Sequence, residues 1–245
     1  MRITFFGTSH GVPEAHRRCS SALITLGSGE NARRYIIDMG LNAIDEMRTR
    51  NLPVDSVKAV FITHMHGDHA DGLIQFVDLC SWYFKTANPT IFLPELECVE
   101  PMKAWIHATG VEVREEIHFE PVSEGAFYDD GFLKVTAART QHCRTSYGYL
   151  LEAEGKRVLF SGDLSCEPAN DFPASFARDE PLDLAVCECA HFEATKYLPV
   201  FEACRLRSIV FNHYVNKHIG SIFDVAKTLK PLPVALANDG MEIEL

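Results

Sequence analysis

No apolar run in this sequence approaches the roughly 20 residues needed to cross a bilayer. Nor is there a basic excess: 34 Asp and Glu outnumber 23 Lys and Arg, for a formal net charge of −11. The first absence argues against a membrane-spanning protein. The second makes nucleic acid an unlikely partner, because such binding draws its affinity from neutralised phosphates. Basic residues cluster only at Arg33-Arg34 and at His16-Arg17-Arg18. The eight cysteines, at 19, 80, 98, 143, 166, 187, 189 and 204, form no Cys-x-x-Cys pair and no disulfide-framework spacing. Buried free thiols in a reducing compartment are the expectation. Low-complexity segments, tandem repeats and Ser-, Gly- or Pro-rich linkers are missing too, so residues 1–245 read as a single domain. The opening Met1–Gly7 is broken by glycine too soon for a signal peptide, and the cytoplasm is the expected compartment.

What is present fits a globular protein. A hydrophobic content of 47% over 245 residues is enough for a sizeable core. Period-two or continuous apolar runs predict strands at Ile3–Phe6, Ser21–Leu26, Tyr35–Asp38, Ala59–Thr63 and Thr90–Leu93. Further runs predict Phe132–Ala138, Tyr147–Glu152, Arg157–Ser161, Asp183–Cys187, Ser208–Asn212 and Pro233–Leu236. Helical spacing fits Asn42–Arg50, Gly72–Lys85, Leu96–Ala108, Glu193–Arg205 and Ile222–Leu229, and the Cys166–Pro181 stretch reads as a surface helix between loops. The early strands meander and the later ones alternate with helices, which predicts a layered α/β architecture with helices outside packed sheets.

The chemistry concentrates where the Val57–Thr63 run ends. His64, His66, Asp68 and His69 follow within six residues, around Gly67, whose freedom lets flanking side chains turn to a common point. Imidazole and carboxylate suit zinc, manganese or iron(II), and this density suits two ions: His64 and His66 can face one, Asp68 and His69 the other. Three more donors, His142, Asp163 and His213, lie just beyond the ends of apolar strands, where α/β sites gather. Asp163 can bridge the pair.

The run His64-Met65-His66-Gly67-Asp68-His69 followed by His142, Asp163 and His213 resembles the metallo-β-lactamase superfamily over nearly the whole chain. The resemblance implies a four-layer αβ/βα sandwich. It places His64, His66, His142 and Asp163 on one metal, and Asp68, His69, Asp163 and His213 on the other. Asp38, in Ile36-Ile37-Asp38-Met39-Gly40, matches a supporting residue rather than a ligand. The opening Gly7–Pro13 with Arg17 and Ser20 is similar to ribonuclease Z and its phosphodiesterase relatives, as is Asp183–His191. His142 and Asp163 are 21 positions apart, which leaves no room for the basic tRNA-gripping arm of ribonuclease Z. A compact phosphodiesterase for small or cyclic phosphate diesters is therefore the leading expectation. Family resemblance leans towards a homodimer.

Two ions roughly 3.5–4 Å apart can clamp the attacking and leaving oxygens of an in-line displacement and lower the pKa of a shared water to about 7. Asp68 can orient that nucleophile. Glu188 and His191 are candidates for orienting a ligand or protonating the leaving group, against the blander roles of ending a strand and capping a helix. His10 and His218 read as surface residues, Trp82-Tyr83-Phe84 as core packing, and Gly7–Gly11 as a weak candidate anion nest. Competing activities are a thioesterase of glyoxalase II type, a lactonase, a ribonuclease Z-like endonuclease, a flavo-diiron protein and a non-catalytic metal sensor. β-Lactamase activity is disfavoured, since such enzymes often carry Cys where Asp163 stands.

Overall fold

A computed structural model describes residues 1–245. Six strands open the chain: β1 Arg2–Gly7, β2 Ser21–Leu26, β3 Arg33–Ile37, β4 Val57–Phe61, β5 Thr90–Leu93 and β6 His118–Pro121. Seven more follow: β7 Gly125–Asp129, β8 Lys134–Arg139, β9 Tyr147–Ala153, β10 Lys156–Phe160, β11 Leu184–Cys189, β12 Ile209–Tyr214 and β13 Val234–Leu236. The last strand, β14 Glu242–Glu244, returns to the beginning and pairs with β1. They form two seven-stranded sheets, ordered β14-β1-β2-β3-β4-β5-β6 and β13-β12-β11-β10-β9-β8-β7.

Alternation of side chains along each strand sorts the apolar residues into three cores. Between the sheets lie Ile3, Phe5, Tyr35, Ile37, Phe61, Tyr149, Leu151, Val158 and Phe160. The residues of opposite parity face outward onto helices. Leu23, Ile36, Val60 and Ile62 meet α1 Ala43–Thr49, α2 Gly67–Ala70, α3 Gly72–Trp82 and α4 Val99–Ala108. On the other side Leu150, Leu159, Ala185, Cys187 and Phe211 meet α5 Ser175–Arg178, α6 Leu198–Glu202 and α7 Ile219–Thr228. The result is the four-layer sandwich. Both faces of β4 are buried, so it reads as a nearly unbroken apolar run. Phe61 stacks on Phe92 at 5.2 Å and meets Phe127 of the opposite sheet edge-on at 5.9 Å. Each such pair adds about 0.5–1.5 kcal/mol beyond area burial.

Several elements depart from expectation for physical reasons. β6, β7 and β14 carry no fully buried residue and take their pairing from a neighbour, so no periodicity announces them. Pro199 sits at the start of α6, and the expected Glu193–Arg205 helix divides there into a 3-10 turn, Ala194–Tyr197, and five α-helical residues. The Cys166–Pro181 stretch holds a 3-10 turn and four α-helical residues, with Phe172 and Ala177 buried. Trp82 and Tyr83 are more than half exposed or close to it, at 50% and 58%, which overturns core packing for them. All eight cysteines are free, but only Cys80, Cys187 and Cys189 are buried. No helix is long and apolar enough to cross a membrane.

Candidate metal centre

Parallel pairing of β3 with β4, and of β10, β11 and β12, brings the carboxyl ends of strands from both sheets to one edge. The Tyr147 amide at the start of β9 donates to the Thr63 carbonyl beyond β4, which ties the two sheets together there. Every donor singled out in the sequence arrives at this edge by a local device. His66 is extended at φ −66°, ψ 147° and starts the single turn α2, which carries Asp68 and His69 inward. Gly67 has no left-handed φ, and a Cβ there would meet only the exposed Asp71 carboxylate, at 2.6 Å, which can swing aside, so the expected backbone freedom is not what shapes this loop. At Gly40 the constraint is harder. A Cβ there would fall 1.8 Å from the Asp68 carbonyl, so only glycine lets the Asp38–Gly40 turn back onto the histidine loop. β12 continues through Tyr214, so His213 lies within a strand rather than beyond it, turned by a φ of 47°.

The geometry is close-set. His66 Nδ1 stands 3.1 Å from His64 Nε2 and 3.0 Å from His142 Nε2. Asp163 Oδ2 lies 3.8 Å from His64 Nε2, 3.7 Å from His142 Nε2 and 3.2 Å from His213 Nε2. His69 Nε2 is 3.5 Å from Asp68 Oδ2 and 3.4 Å from Asp163 Oδ1. His64, His66 and His142 thus form one group and Asp68, His69 and His213 another, with Asp163 against both.

Electrostatics mark the cluster as unfinished without a cation. His69 Nε2 and Asp163 Oδ1 are buried and have no hydrogen-bond partner. Such orphans are costly, and more so when charged. Burial, reinforced by the neighbouring His69, pushes the His64 pKa down to about 2, so its ring is neutral and offers a lone pair. Burial also lowers His142. For Asp163 burial works the other way, but His213 and His69 hold its carboxyl well below the usual range. Nitrogen ligands about 2.0–2.1 Å from a tetrahedral ion stand about 3.3 Å apart, close to the spacing of these imidazole nitrogens. The donor set fits divalent ions.

A ring of supporting contacts orients these groups. Asp38, itself left-handed at φ 58°, accepts from the Thr63 amide at 2.7 Å and lies 2.7 Å from His69 Nδ1. Thr63 Oγ1 is 3.1 Å from His64 Nδ1, and Ser20 Oγ is 3.1 Å from His213 Nδ1. The sequence marks the Thr63 contact only by a hydroxyl immediately before the first histidine. Glu188 is buried and accepts from the Leu164, Ala190 and His191 amides, and its Oε1 lies 2.9 Å from His191 Nδ1. Burial disfavours charge on His191, but the Glu188 hydrogen bond raises its pKa to about 9. His191 stands at the rim of the centre, its ring 4.5 Å from that of His142. Glu188 touches the centre through that ring and through the Leu164 amide, next to Asp163.

Other candidates fall away from the centre. His10 pairs with Glu14, and His218 lies 3.0 Å from the Cys189 carbonyl. The anion nest fails at two of its five residues: the Thr8 amide donates to Asp239 and the Ser9 amide to the Arg18 carbonyl.

Two facing sheets between helical layers, with this His-x-His-x-Asp-His centre at their shared edge, define a member of the metallo-β-lactamase superfamily, in the branch that contains ribonuclease Z. Within it, the family described as anti-Pycsar protein Apyc1 matches residues 1–192, and the chain belongs to that family. Ribonuclease Z of Crocosphaera subtropica is 30% identical over 157 residues, covering 64% of this chain and 49% of that protein. The chain spans about half the length of the curated relatives it matches. Among solved structures, the metallo-β-lactamase fold protein YhfI from Bacillus subtilis superposes with a TM-score of 0.76 at 17% identity, covering 99% of each chain. The short form of human tRNase Z gives 0.72 at 19%, covering 100% of this chain and 99% of that one. Zn2+-bound PqqB from Methylobacterium extorquens gives 0.66 at 16%, covering 100% of both.

Proposed function

We propose that this chain is a metal-dependent hydrolase of phosphate diesters, acting on small or cyclic substrates. The observation that carries the reading is the convergence of seven donors from both sheets, with the orphaned oxygen of Asp163 between them. His64, His66, His142 and Asp163 would hold one divalent ion, and Asp68, His69, His213 and Asp163 the other. Zinc is the first choice, supported by the zinc-bound structural relative, with manganese or iron as alternatives. Bound ions would acidify water and neutralise the charge of a phosphoryl group.

The protein's own groups have separate tasks. Asp38, Thr63 and Ser20 fix the rings of His69, His64 and His213, so that each presents its other nitrogen inward. Glu188 fixes His191 through Nδ1 and leaves Nε2 to hold a proton for the departing oxygen. Asp68 faces the centre from α2 and would align the attacking water.

Small substrates are favoured by what joins His142 to Asp163. β9 and β10 are linked by the two-residue turn Glu154-Gly155, with no inserted arm to hold a folded RNA. The net charge of −11 points the same way. Family membership supports an anti-Pycsar role for this chain. A second reading, an RNA endonuclease, is favoured by the curated ribonuclease Z relatives, which weigh at least as much as the missing arm. Homodimerisation stays a proposal of family resemblance, and a cytoplasmic setting a proposal from the eight unpaired cysteines.

Zinc- or manganese-loaded protein offered bis(p-nitrophenyl) phosphate, a cyclic nucleoside monophosphate, a tRNA precursor and a lactoyl-glutathione thioester separates these readings. The proposal expects cleavage of the first two, abolished in Asp163→Ala and His66→Ala. Turnover of the thioester alone would refute it, and turnover of the tRNA precursor alone would install the second reading.

A further inference from the structure

The outer face of the first sheet holds a charge that the metal centre does not explain. Strand register places Arg2 opposite Thr25, and Thr25 opposite Arg34, so the three form one row across β1, β2 and β3. The parity that sends Tyr35 and Ile37 into the core between the sheets sends Arg34 to the other face, with Ile36. Arg34 is only 7% exposed. Its Nη1 donates to Ser56 Oγ at 2.8 Å, and its Nε has no partner. No carboxylate acts on it; the charged group it feels is Arg2, a like charge. Glu244, which lines the same cavity, is taken by Arg2. A guanidinium withdrawn from water without a counter-charge is an expensive arrangement, and buried charges are ordinarily paired.

The cavity beside it has a volume of about 300 Å³ and is lined by Arg2, Thr25, Ser28, Gly29, Arg34 and Glu244 among others. We propose that it binds a tetrahedral oxyanion of the phosphate class, which Arg34 meets as counter-charge. The planar guanidinium fork suits such an anion, since it can donate two parallel N–H groups to adjacent oxygens. Thr25 and Ser28 add neutral hydroxyl donors from the same wall. This site is separate from the metal centre. Arg34 lies near the start of β3 and Asp38 just past its end, about 13 Å apart at 3.3 Å per residue.

Inorganic phosphate titrated into the metal-loaded protein tests the proposal, followed by thermal shift and by phosphorus NMR line width. Because phosphate also approaches bound metals, the titration is repeated in His66→Ala. A binding event is expected to survive in His66→Ala, and Arg34→Met should weaken it roughly tenfold or more. Arg34→Lys, which keeps the charge and loses the fork, should fall between; if Arg34→Met does not fold, Arg34→Lys and Thr25→Val give the reading. Unchanged phosphate affinity in the folded Arg34 variants would overturn the site. So would an equal thermal shift from chloride at matched ionic strength, or loss of all phosphate binding with His66.

Discussion

Asp38 Oδ2 lies 2.7 Å from His69 Nδ1, and this one contact turns His69 Nε2 toward Asp68 and Asp163. The same carboxylate accepts from the Thr63 amide and hydroxyl, so it orients two residues of the centre without itself being one of the seven donors. Asp38→Ala should therefore weaken metal binding by about 10–100-fold while leaving the ligand set intact. Metal retained after dialysis against a graded series of chelators measures it. Wild-type retention in the variant would remove Asp38 from the centre.

Chelation should also cost stability. Asp163 and His69 each carry a buried atom without a partner, and a cation held by the two residues would satisfy both. Metal that binds the folded chain alone raises its stability by mass action, about 2.7 kcal/mol at 100 times Kd. Differential scanning calorimetry should show Tm falling on metal removal and returning with zinc. In Asp163→Ala the zinc-dependent part of the shift should be small.

His191 and Glu188 can be separated from the metals by their leaving-group dependence. If His191 Nε2 protonates the departing oxygen, His191→Ala should slow diesters of poorly leaving alcohols by about 10²–10⁴-fold. p-Nitrophenyl esters, whose leaving group needs little protonation, should be slowed much less. Glu188→Gln should show the same pattern in weaker form. Equal losses on both substrates would make the pair structural.

Acid stability should depend on Asp130, which links the two sheets. Its Oδ2 accepts from the Tyr35 hydroxyl of β3 at 2.7 Å, and its Oδ1 accepts from the Phe132 and Leu133 amides at 2.9 Å. Burial alone would raise its pKa; the Leu133, Tyr35 and Phe132 hydrogen bonds outweigh burial and hold it below the ordinary 3.8. A depressed carboxyl contributes stability that is present above the unfolded pKa and is lost as pH falls through the folded one. Asp130→Ala should thus cost about 1–3 kcal/mol at neutral pH. The cost should shrink below pH ~4, where the unfolded chain already binds the proton. Urea titrations at pH 7 and pH 3 measure the difference. A cost that does not vary with pH would contradict this origin.

Much of this architecture could be read from residues. β2 and β5 occupy the predicted Ser21–Leu26 and Thr90–Leu93, because both are mostly apolar strands paired on both sides and almost wholly buried. Edge strands such as β6, His118-Phe119-Glu120-Pro121, have too little buried surface to carry a pattern, and only a partner strand reveals them. In the centre, side chains that could ligate stood out by type and spacing. The hydroxyls of Thr63 and Ser20 stand out less: Thr63 is marked only by its place before His64 and Ser20 only by family resemblance, because hydropathy does not separate a hydroxyl that orients an imidazole from one that meets water. Hydropathy puts the end of β12 before His213, because a left-handed residue inside a strand leaves no trace in it.

Anomalous diffraction at the zinc edge, on crystals of zinc-loaded protein, tests the centre most directly. The account predicts two peaks about 3.5–4 Å apart. One should be ringed by His64, His66 and His142, the other by Asp68, His69 and His213, with Asp163 reaching both. Peaks absent from this edge, or zinc bound elsewhere while diester cleavage persists, would contradict it.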